Sequence, residues 1–540
     1  MIKKILIKDY KLIKDTKIML NPKLNIFVGE NDSGKSTILE VLSIITTGRL
    51  HFYPFDQQIK ANLFNNDIRA TYIEKIQAGK TPKPPKMIFE AYLDDSVDQK
   101  LRGSNNELRE NSAGIRVVVE MDSSYADIYK QMLDEKAVFD IPVELYKVTY
   151  HYFSSEDDKV LFRFSPVKSV FIDASHKDYS YMVNKFVNTS IEEVLSRQEQ
   201  IDLSREYRSN RNKFKLNKNV KKLNKTVSER NKFDSSRKVT VDLQEESVDA
   251  WKKQMTVLVE DIPFENVGFG TQNTIKAELA IKNSSEQVNI VLMEEPENNL
   301  SFTNMSKLID DIEATEGKQI FIATHSSYVA NKLDLKNLFL VNQGIVKPFS
   351  SLNETVIDYF KKLPGYDTLR VVLAEKVILV EGPTDELILQ RAYKDLHKKL
   401  PIKDGIDIIV VDSLAFKRYC EIAVLIGKKI SVVTDNDKHP EEIKERYKEF
   451  INNPLTTFFY DTNPELNTIE PSVLDANCIK GVPNLEFQKI VNLKNKEQMT
   501  FDELNKFMKN NKSLWAMRVF DAEKTIKYPR YIIDAVKQFD

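Results

Sequence analysis

At 540 residues, with a net charge of −1, 41% hydrophobic and 29% charged residues, the chain is too long for one core. Its composition is that of a soluble globular protein of several domains, at roughly 150 residues each. The near-zero charge excludes a chain drawn to nucleic acid as a whole, so such binding must come from a local patch. Cys420 and Cys478, the two cysteines, have no CxxC spacing. That excludes a disulfide framework or thiolate zinc site and fits a reducing cytoplasm. Apolar runs long enough for a signal peptide or membrane span are missing.

In chain order, "KKILIKDY", "TKIMLN" and "KLNIFVG" alternate as a β-meander, and the last runs into a helix, "TILEVLSII". "KMIFEAYLDD", "VELYKVTYHYF" and "VKSVFIDAS" predict further strands, with "GKTPKPPK" a surface loop. From about 180 to 255 the chain turns polar and helical. Within it, 205–238 carries 13 Lys/Arg against 3 Asp/Glu. The α/β pattern resumes with "QVNIVLMEEPE", "KQIFIATHSS" and "NLFLVNQG", then again from about 370 with "KVILVEG", "GIDIIVVDS", "KKISVVTDND" and "TTFFYD". Apolar strands separated by helices predict parallel sheets covered on both faces. The expected architecture is two α/β domains, 1–360 with the helical insertion and 370–540, joined near 345–370.

"GENDSGKST" fits G-x-x-x-x-G-K-[ST] between an apolar strand and a helix. Gly29, Glu30, Asn31, Asp32, Ser33, Gly34, Lys35, Ser36 and Thr37 form the predicted ATP cradle. Glycines let backbone N–H groups wrap phosphate at a helix N-terminus. Lys35 is expected on the β/γ-phosphates and the Ser36 hydroxyl on Mg²⁺. Downstream, Glu294 and Glu295 end a buried strand, the first expected to hold Mg²⁺ through water and the second to polarise the attacking water. His325 ends another strand, placed to sense a γ-phosphate. "VGFGTQNTI" offers a Gly-x-Gly-x-Gln turn before a helix. These segments together resemble the ABC-type ATPase heads of the SMC and RecF kind. The resemblance implies a dimer in which each subunit's signature turn completes its partner's ATP site. Thr271, Gln272 and Asn273 stand where that signature usually has a serine.

The second half has its own logic. "VILVEG" ends in Glu381, Asp385 opens the next helix, and "KKISVVTDND" ends in Asp435 and Asp437. In a parallel sheet both strands end on one edge, where such sheets place their sites. Residues two apart can aim to one side. The four carboxylates make an all-oxygen set for Mg²⁺ or Mn²⁺ rather than zinc. EGxxD followed by DxD is the pattern of a TOPRIM fold. An ABC head followed by TOPRIM resembles the OLD (overcoming lysogenisation defect) family of nucleases, which includes the nuclease subunit of the Gabija anti-phage system. That resemblance adds Glu470 of "NTIEP" as a further metal ligand, and Lys512 as the lysine stabilising charge on the scissile phosphate. Relatives tend to carry glycine where this chain has Asp412-Ser413 and Lys438.

The function expected is an ATP-regulated, metal-dependent endonuclease on nucleic acid, DNA foremost, acting in bacterial defence against phage. It would work as a homodimer or higher homo-oligomer, alone or with a helicase-like or retron reverse-transcriptase partner. The basic stretch fits equally a nucleic-acid contact and a solvated or dimerisation arm. A non-cutting ATPase clamp is the alternative. A topoisomerase or primase lacks its transferring tyrosine domain or zinc module here.

Overall fold

The structure is a computed structural model. It describes all residues except 52, 174–193, 231–238, 243–249, 254, 283–287, 299, 327–328, 330–332, 334, 355, 358–366, 412–414 and 494–496. Asp412 and Ser413, and the parts of the polar insertion at 180–193 and 231–238, therefore lie outside the described residues. The chain divides into two compact units: 1–172 with 285–297 and 312–540, and 173–284 with 298–311.

The first unit opens with β1 (Ile2–Tyr10), β2 (Ile13–Met19), β3 (Leu24–Val28) and helix α1 (Lys35–Thr47). Strands β4 (Met87–Leu93), β5 (Ser112–Met121), β6 (Tyr146–Tyr152) and β7 (Ser169–Asp173) follow. The second unit contains α2 (Arg197–Leu216), α3 (Lys218–Arg230) and α4 (Phe269–Lys282). Returning to the first unit, the chain forms β8 (Ile290–Glu294), β9 (Gln319–Thr324), β10 (Leu338–Asn342) and β11 (Ile345–Pro348). Its last portion carries α5 (Asp367–Leu373), β12 (Lys376–Val380), α6 (Pro383–His397), β13 (Ile406–Val410), α7 (Phe416–Leu425) and β14 (Ile430–Val433). Then come α8 (Pro440–Arg446), β15 (Thr456–Phe459), α9 (Ile469–Ala476) and α10 (Lys512–Asp521).

Strands β2, β1, β4 and β5 run antiparallel in that order, with Arg102–Gly103 and β6 also paired to β5. A second sheet has the order β7-β8-β9-β3-β10-β11, parallel from β8 to β10. Only the first two strands of the expected meander pair with each other. β3, buried at every residue, leaves for the centre of the parallel sheet and pairs with β9 and β10. A strand apolar on both faces needs cover on both faces, which the middle of the parallel sheet gives it. Ile5, Phe89 and Val117 of the first sheet, Phe27, Leu292 and Phe321 of the second, and Ile38 and Leu42 of α1 share one core.

The third sheet, β13-β12-β14-β15, is parallel throughout. Its core joins Ile378 and Val380 of β12 to Ile388 and Leu389 of α6 and to Trp515 and Val519 of α10. β12 and β14 are the adjacent central strands, so Glu381 and the 434–437 turn leave the sheet at the same edge. Among the described residues no helix is long and apolar enough to cross a membrane.

Candidate active sites

The loop between β3 and α1 is built around two glycines. A Cβ on Gly29 would stand 2.1 Å from the Val341 carbonyl oxygen, so any larger residue displaces backbone. Gly34 caps α1 at φ 111, a conformation that L side chains rarely adopt. The Gly344 N–H donates to the Ser33 carbonyl at 2.9 Å, and the Ser33 hydroxyl oxygen is buried without a hydrogen-bond partner. Lys35 Nζ donates to the carbonyls of Gly29 at 2.9 Å and Glu30 at 2.6 Å. Burial lowers the Lys35 pKa, and the charges of Glu295, Glu294, Glu297 and Asp32 pull it back up. Asn31, Asp32 and Ser36 are exposed at the loop while Thr37 is buried. A tight glycine cradle, an orphaned hydroxyl and a lysine at a helix N-terminus fit a nucleotide polyphosphate.

Opposite, β8 delivers Glu294, and Glu295 follows at φ 47 with its N–H on the Ala323 carbonyl at 2.8 Å. His325, just past β9, places Nδ1 against Glu295 Oε2 and 3.7 Å from Glu297 Oε1. Glu297 Oε1 also accepts from the Thr324 hydroxyl and, at 3.1 Å, from the Ser326 N–H. Burial first, then the Glu297 charge, push the Glu295 carboxyl up to about 7. Glu295, Glu297 and His325 bring their ligand atoms within 4.8 Å of one another. The sequence reading named Glu295 and His325 but passed over Glu297. The signal was there in "EEPE", where a third acid follows the strand end. In the second unit, Gln272 and Asn273 are buried and bonded to their own surroundings. Gln272 Nε2 donates to the Val267 carbonyl at 2.7 Å and Asn273 Nδ2 to the Asn298 carbonyl at 3.1 Å. The expected turn before the helix is already helical, since α4 begins at Phe269, and of these three residues Thr271 is the exposed one.

The second site lies where β12 and β14 end. Glu381 Oε1 accepts from the Thr434 hydroxyl at 2.5 Å and the Asp435 N–H at 3.0 Å, which sews the two strand ends together. Asp385 sits in the first turn of α6, after Pro383. Its neighbour Glu386 bonds Gln390 at 3.0 Å and belongs to the helix surface. Glu470, 1% exposed on α9, accepts from the Thr468 hydroxyl at 2.7 Å, while its Oε1 is buried without a hydrogen-bond partner. Burial raises the Asp385 carboxyl to about 7 and the Asp435 carboxyl to about 9, with further upward push from Glu381 and Glu470 on both. Burial also raises Glu381. Acids whose charges raise one another in this way call for a cation, and an all-oxygen set with an orphaned oxygen fits a hard divalent ion.

Asp437 is the outlying member. β14 ends at Val433, so strand alternation does not reach 435–437. Asp437 turns to φ 49, is 63% exposed and lies 3.9 Å from Arg446 of α8, a residue the sequence reading missed. Its charge still acts on Asp435 and Glu381. Lys438 adopts φ 71, the left-handed geometry that explains why glycine suits this position. Lys512 opens α10, 62% exposed, with Nζ 4.0 Å from Glu470 Oε1. Buried Arg391 on α6 donates to the carbonyls of Val519, Phe520, Ala522 and Lys524, fixing the helix of Asp385 against the far end of the helix of Lys512.

The model of the AAA ATPase domain matches residues 1–330. The chain belongs to the AAA ATPase domain family. Residues 372–437 of this ATPase match a second model, that of the overcoming lysogenization defect protein-like TOPRIM domain. That stretch holds Glu381, Asp385, Asp435 and Asp437, and stops before Glu470 and Lys512. The architecture is thus a P-loop ATPase head followed by a TOPRIM domain. The ATPase is 24% identical over 273 residues to the Old nuclease of Escherichia phage P2, covering 45% of this chain and 46% of the relative. Against endonuclease GajA of Bacillus cereus (strain VD045) it is 25% identical over 163 residues, 29% of this chain and 28% of that one. The matches therefore span about half or less of either relative. An SMC head bound to the C-winged helix domain of ScpA superposes with TM-score 0.32 at 15% identity, over 64% of this chain and 96% of that one.

Proposed function

We propose that this protein is an ATP-regulated, divalent-metal-dependent endonuclease, with its nucleotide site in a 1–360 domain and its nuclease site in a 370–540 domain. The observation that carries the reading is the convergence of Glu381, Asp385, Asp435 and Glu470 at one edge of the third sheet, beside Lys512. Glu381, Asp385, Asp435, Asp437 and Glu470 would hold Mg²⁺ or Mn²⁺. When bound, such an ion activates water and neutralises charge on a phosphodiester. Glu381 fixes the spacing of the strand ends through its bonds to Thr434 and Asp435. Lys512, mostly exposed, is free to swing onto a phosphate oxygen. Uncompensated, five carboxylates repel a nucleic-acid backbone, which speaks against a clamp that only binds.

In the ATP site, Lys35 and the 29–37 loop would cradle the phosphates, and Ser36 and Glu294 would hold Mg²⁺. Glu295, with a carboxyl poised near neutrality, is suited to take a proton from water, and His325 orients it. A homodimer in which Thr271 of each copy reaches the other's nucleotide fits the exposure of that residue. Nucleic acid, DNA foremost, is the substrate we assign. The basic stretch supplies a salt-sensitive contact, with exposed Tyr207 and Phe214 on α2 available to stack. The resemblance to the OLD nucleases supports a role in anti-phage defence in the bacterial cytoplasm, alone or beside a helicase-like or retron partner.

Metal removal tests the reading. Chelated protein is expected to leave DNA intact, and Mg²⁺ or Mn²⁺ to restore cutting in wild type but not in Glu470→Gln. Cutting in excess chelator would overturn it.

A further inference from the structure

Lys428 lies in the turn between α7 and β14, and its side chain is 4% exposed. Its ammonium meets Glu30 Oε1 of the P-loop at 2.5 Å, the Val372 carbonyl at 2.8 Å and the Ala374 carbonyl. Those carbonyls close the C-terminal end of α5, where the helix dipole welcomes a cation, and Ala374 stands two residues before β12. One buried charge therefore joins the nucleotide loop to the roots of β12 and β14. These are the two strands whose far ends carry Glu381 and Asp435. A second tie runs alongside, Asn342 Nδ2 of β10 donating to the Ile426 carbonyl at 2.9 Å.

The chemistry of Glu30 makes this pairing more than packing. The cradle wraps anionic phosphate with backbone N–H groups and Lys35, and an acid on the same loop opposes that charge. Its carboxylate is tolerable beside a polyphosphate when a cation takes up its charge, and Lys428 is that cation. Burial lowers the Lys428 pKa, while the Glu30 carboxylate raises it. A buried ion pair adds little net stability compared with apolar residues of similar size, so stability alone gives no reason for it. The Glu30 carbonyl also accepts from Lys35 Nζ, so a lysine that moves onto phosphate releases the residue that holds Lys428.

We propose that Lys428 is a positioning residue for the P-loop, and that the Glu30–Lys428 pair transmits nucleotide occupancy to β14 and the acid cluster at its end. The inference rests on the ATPase-nuclease reading above. β14 is four residues long and is hydrogen-bonded between β12 and β15, so a shift at its root is passed to the 434–437 turn.

The test is a double-mutant cycle on nucleotide affinity, read with a fluorescent ATP analogue and Mg²⁺, on full-length Lys428→Met, Glu30→Gln and the double variant. Amide hydrogen exchange of 428–437 is followed with and without nucleotide. Lys428→Met leaves Glu30 unneutralised and is expected to weaken binding about tenfold. Glu30→Gln removes the acid that opposes phosphate and is expected to tighten binding severalfold, and the double variant to recover most of the loss. In wild type, nucleotide changes exchange across 428–437, and Glu30→Gln abolishes that response. Independent, multiplying effects of the two substitutions would overturn the proposal. So would an unchanged exchange response in Glu30→Gln, which decides the matter even where Lys428→Met fails to fold. A wild type that binds no nucleotide refutes the ATPase reading itself, whereas one that binds without answering in 428–437 refutes the coupling alone.

Discussion

Replacing Gly29 with alanine puts one methyl group where the structure has no room. The new Cβ would sit 2.1 Å from the Val341 carbonyl oxygen and 2.6 Å from the Ser33 hydroxyl oxygen, whereas real Cβ contacts are essentially never under 3.0 Å. Ser33 can turn aside, but Val341 is backbone of β10, held between β3 and β11 in the second sheet. The loop must therefore retreat by about 1 Å, against the anchors at Gly344 N–H and Lys35 Nζ. Overpacking of this kind costs about 1–3 kcal/mol of stability. A displacement of about 1 Å in groups that must meet a ligand precisely spaced is worth on the order of a hundredfold. Gly29→Ala is thus expected to stay folded and to lose about a hundredfold in ATP affinity, measured by fluorescent nucleotide titration and by ATP-induced shift in Tm. Its metal response at the second site is expected to persist. Wild-type ATP affinity in Gly29→Ala would refute the steric reasoning.

Arg391→Met keeps bulk but leaves four backbone carbonyls and Asp395 without their buried donor. At about 1 kcal/mol for each lost bond, urea unfolding is expected to show a loss of about 3–5 kcal/mol in the TOPRIM portion. A change below about 1 kcal/mol would count against the clamp between α6 and α10. His51 Nε2 lies 3.1 Å from Oε1 of buried Glu40, which Lys11 and Tyr10 also bond. The Glu40 bond raises the His51 pKa above its ordinary value. The pair's stability is therefore fully present below about pH 6.5 and lost as pH rises through the folded-state pKa. Since His51 is half exposed, solvent screening holds this to under about 1 kcal/mol. Melts of wild type and His51→Gln are expected to converge from pH 5.5 to about 8.5, and a difference constant with pH would contradict the assignment.

The parts legible in the sequence are those where backbone geometry dictates residue type. Gly29 and Gly34 announce the P-loop because nothing else fits, and an apolar run ending in acid marks Glu294, Glu381 and Asp435. Non-local partnership is what the sequence hides. β3 reads as the third strand of a meander, yet its partners lie about three hundred residues downstream. β5 escaped notice because it begins "SAG" after a turn-rich stretch, where small residues mask the alternation. Asp437 was grouped with Asp435 by a strand period that ends at Val433. The tie from Lys428 to Glu30, 398 residues apart, has no local signal.

The central claim is that the acids at the edge of the third sheet cut nucleic acid under control of the P-loop. Supercoiled plasmid incubated with Mg²⁺ or Mn²⁺, with and without ATP, by wild type, Asp435→Ala and Lys35→Ala, tests it most directly. Wild type is expected to cut, Asp435→Ala to leave plasmid intact, and Lys35→Ala to cut with its ATP dependence gone. Plasmid cut as fast by Asp435→Ala as by wild type, or left whole by wild type under every condition, would contradict it, the latter bringing forward a clamp that binds without cleaving.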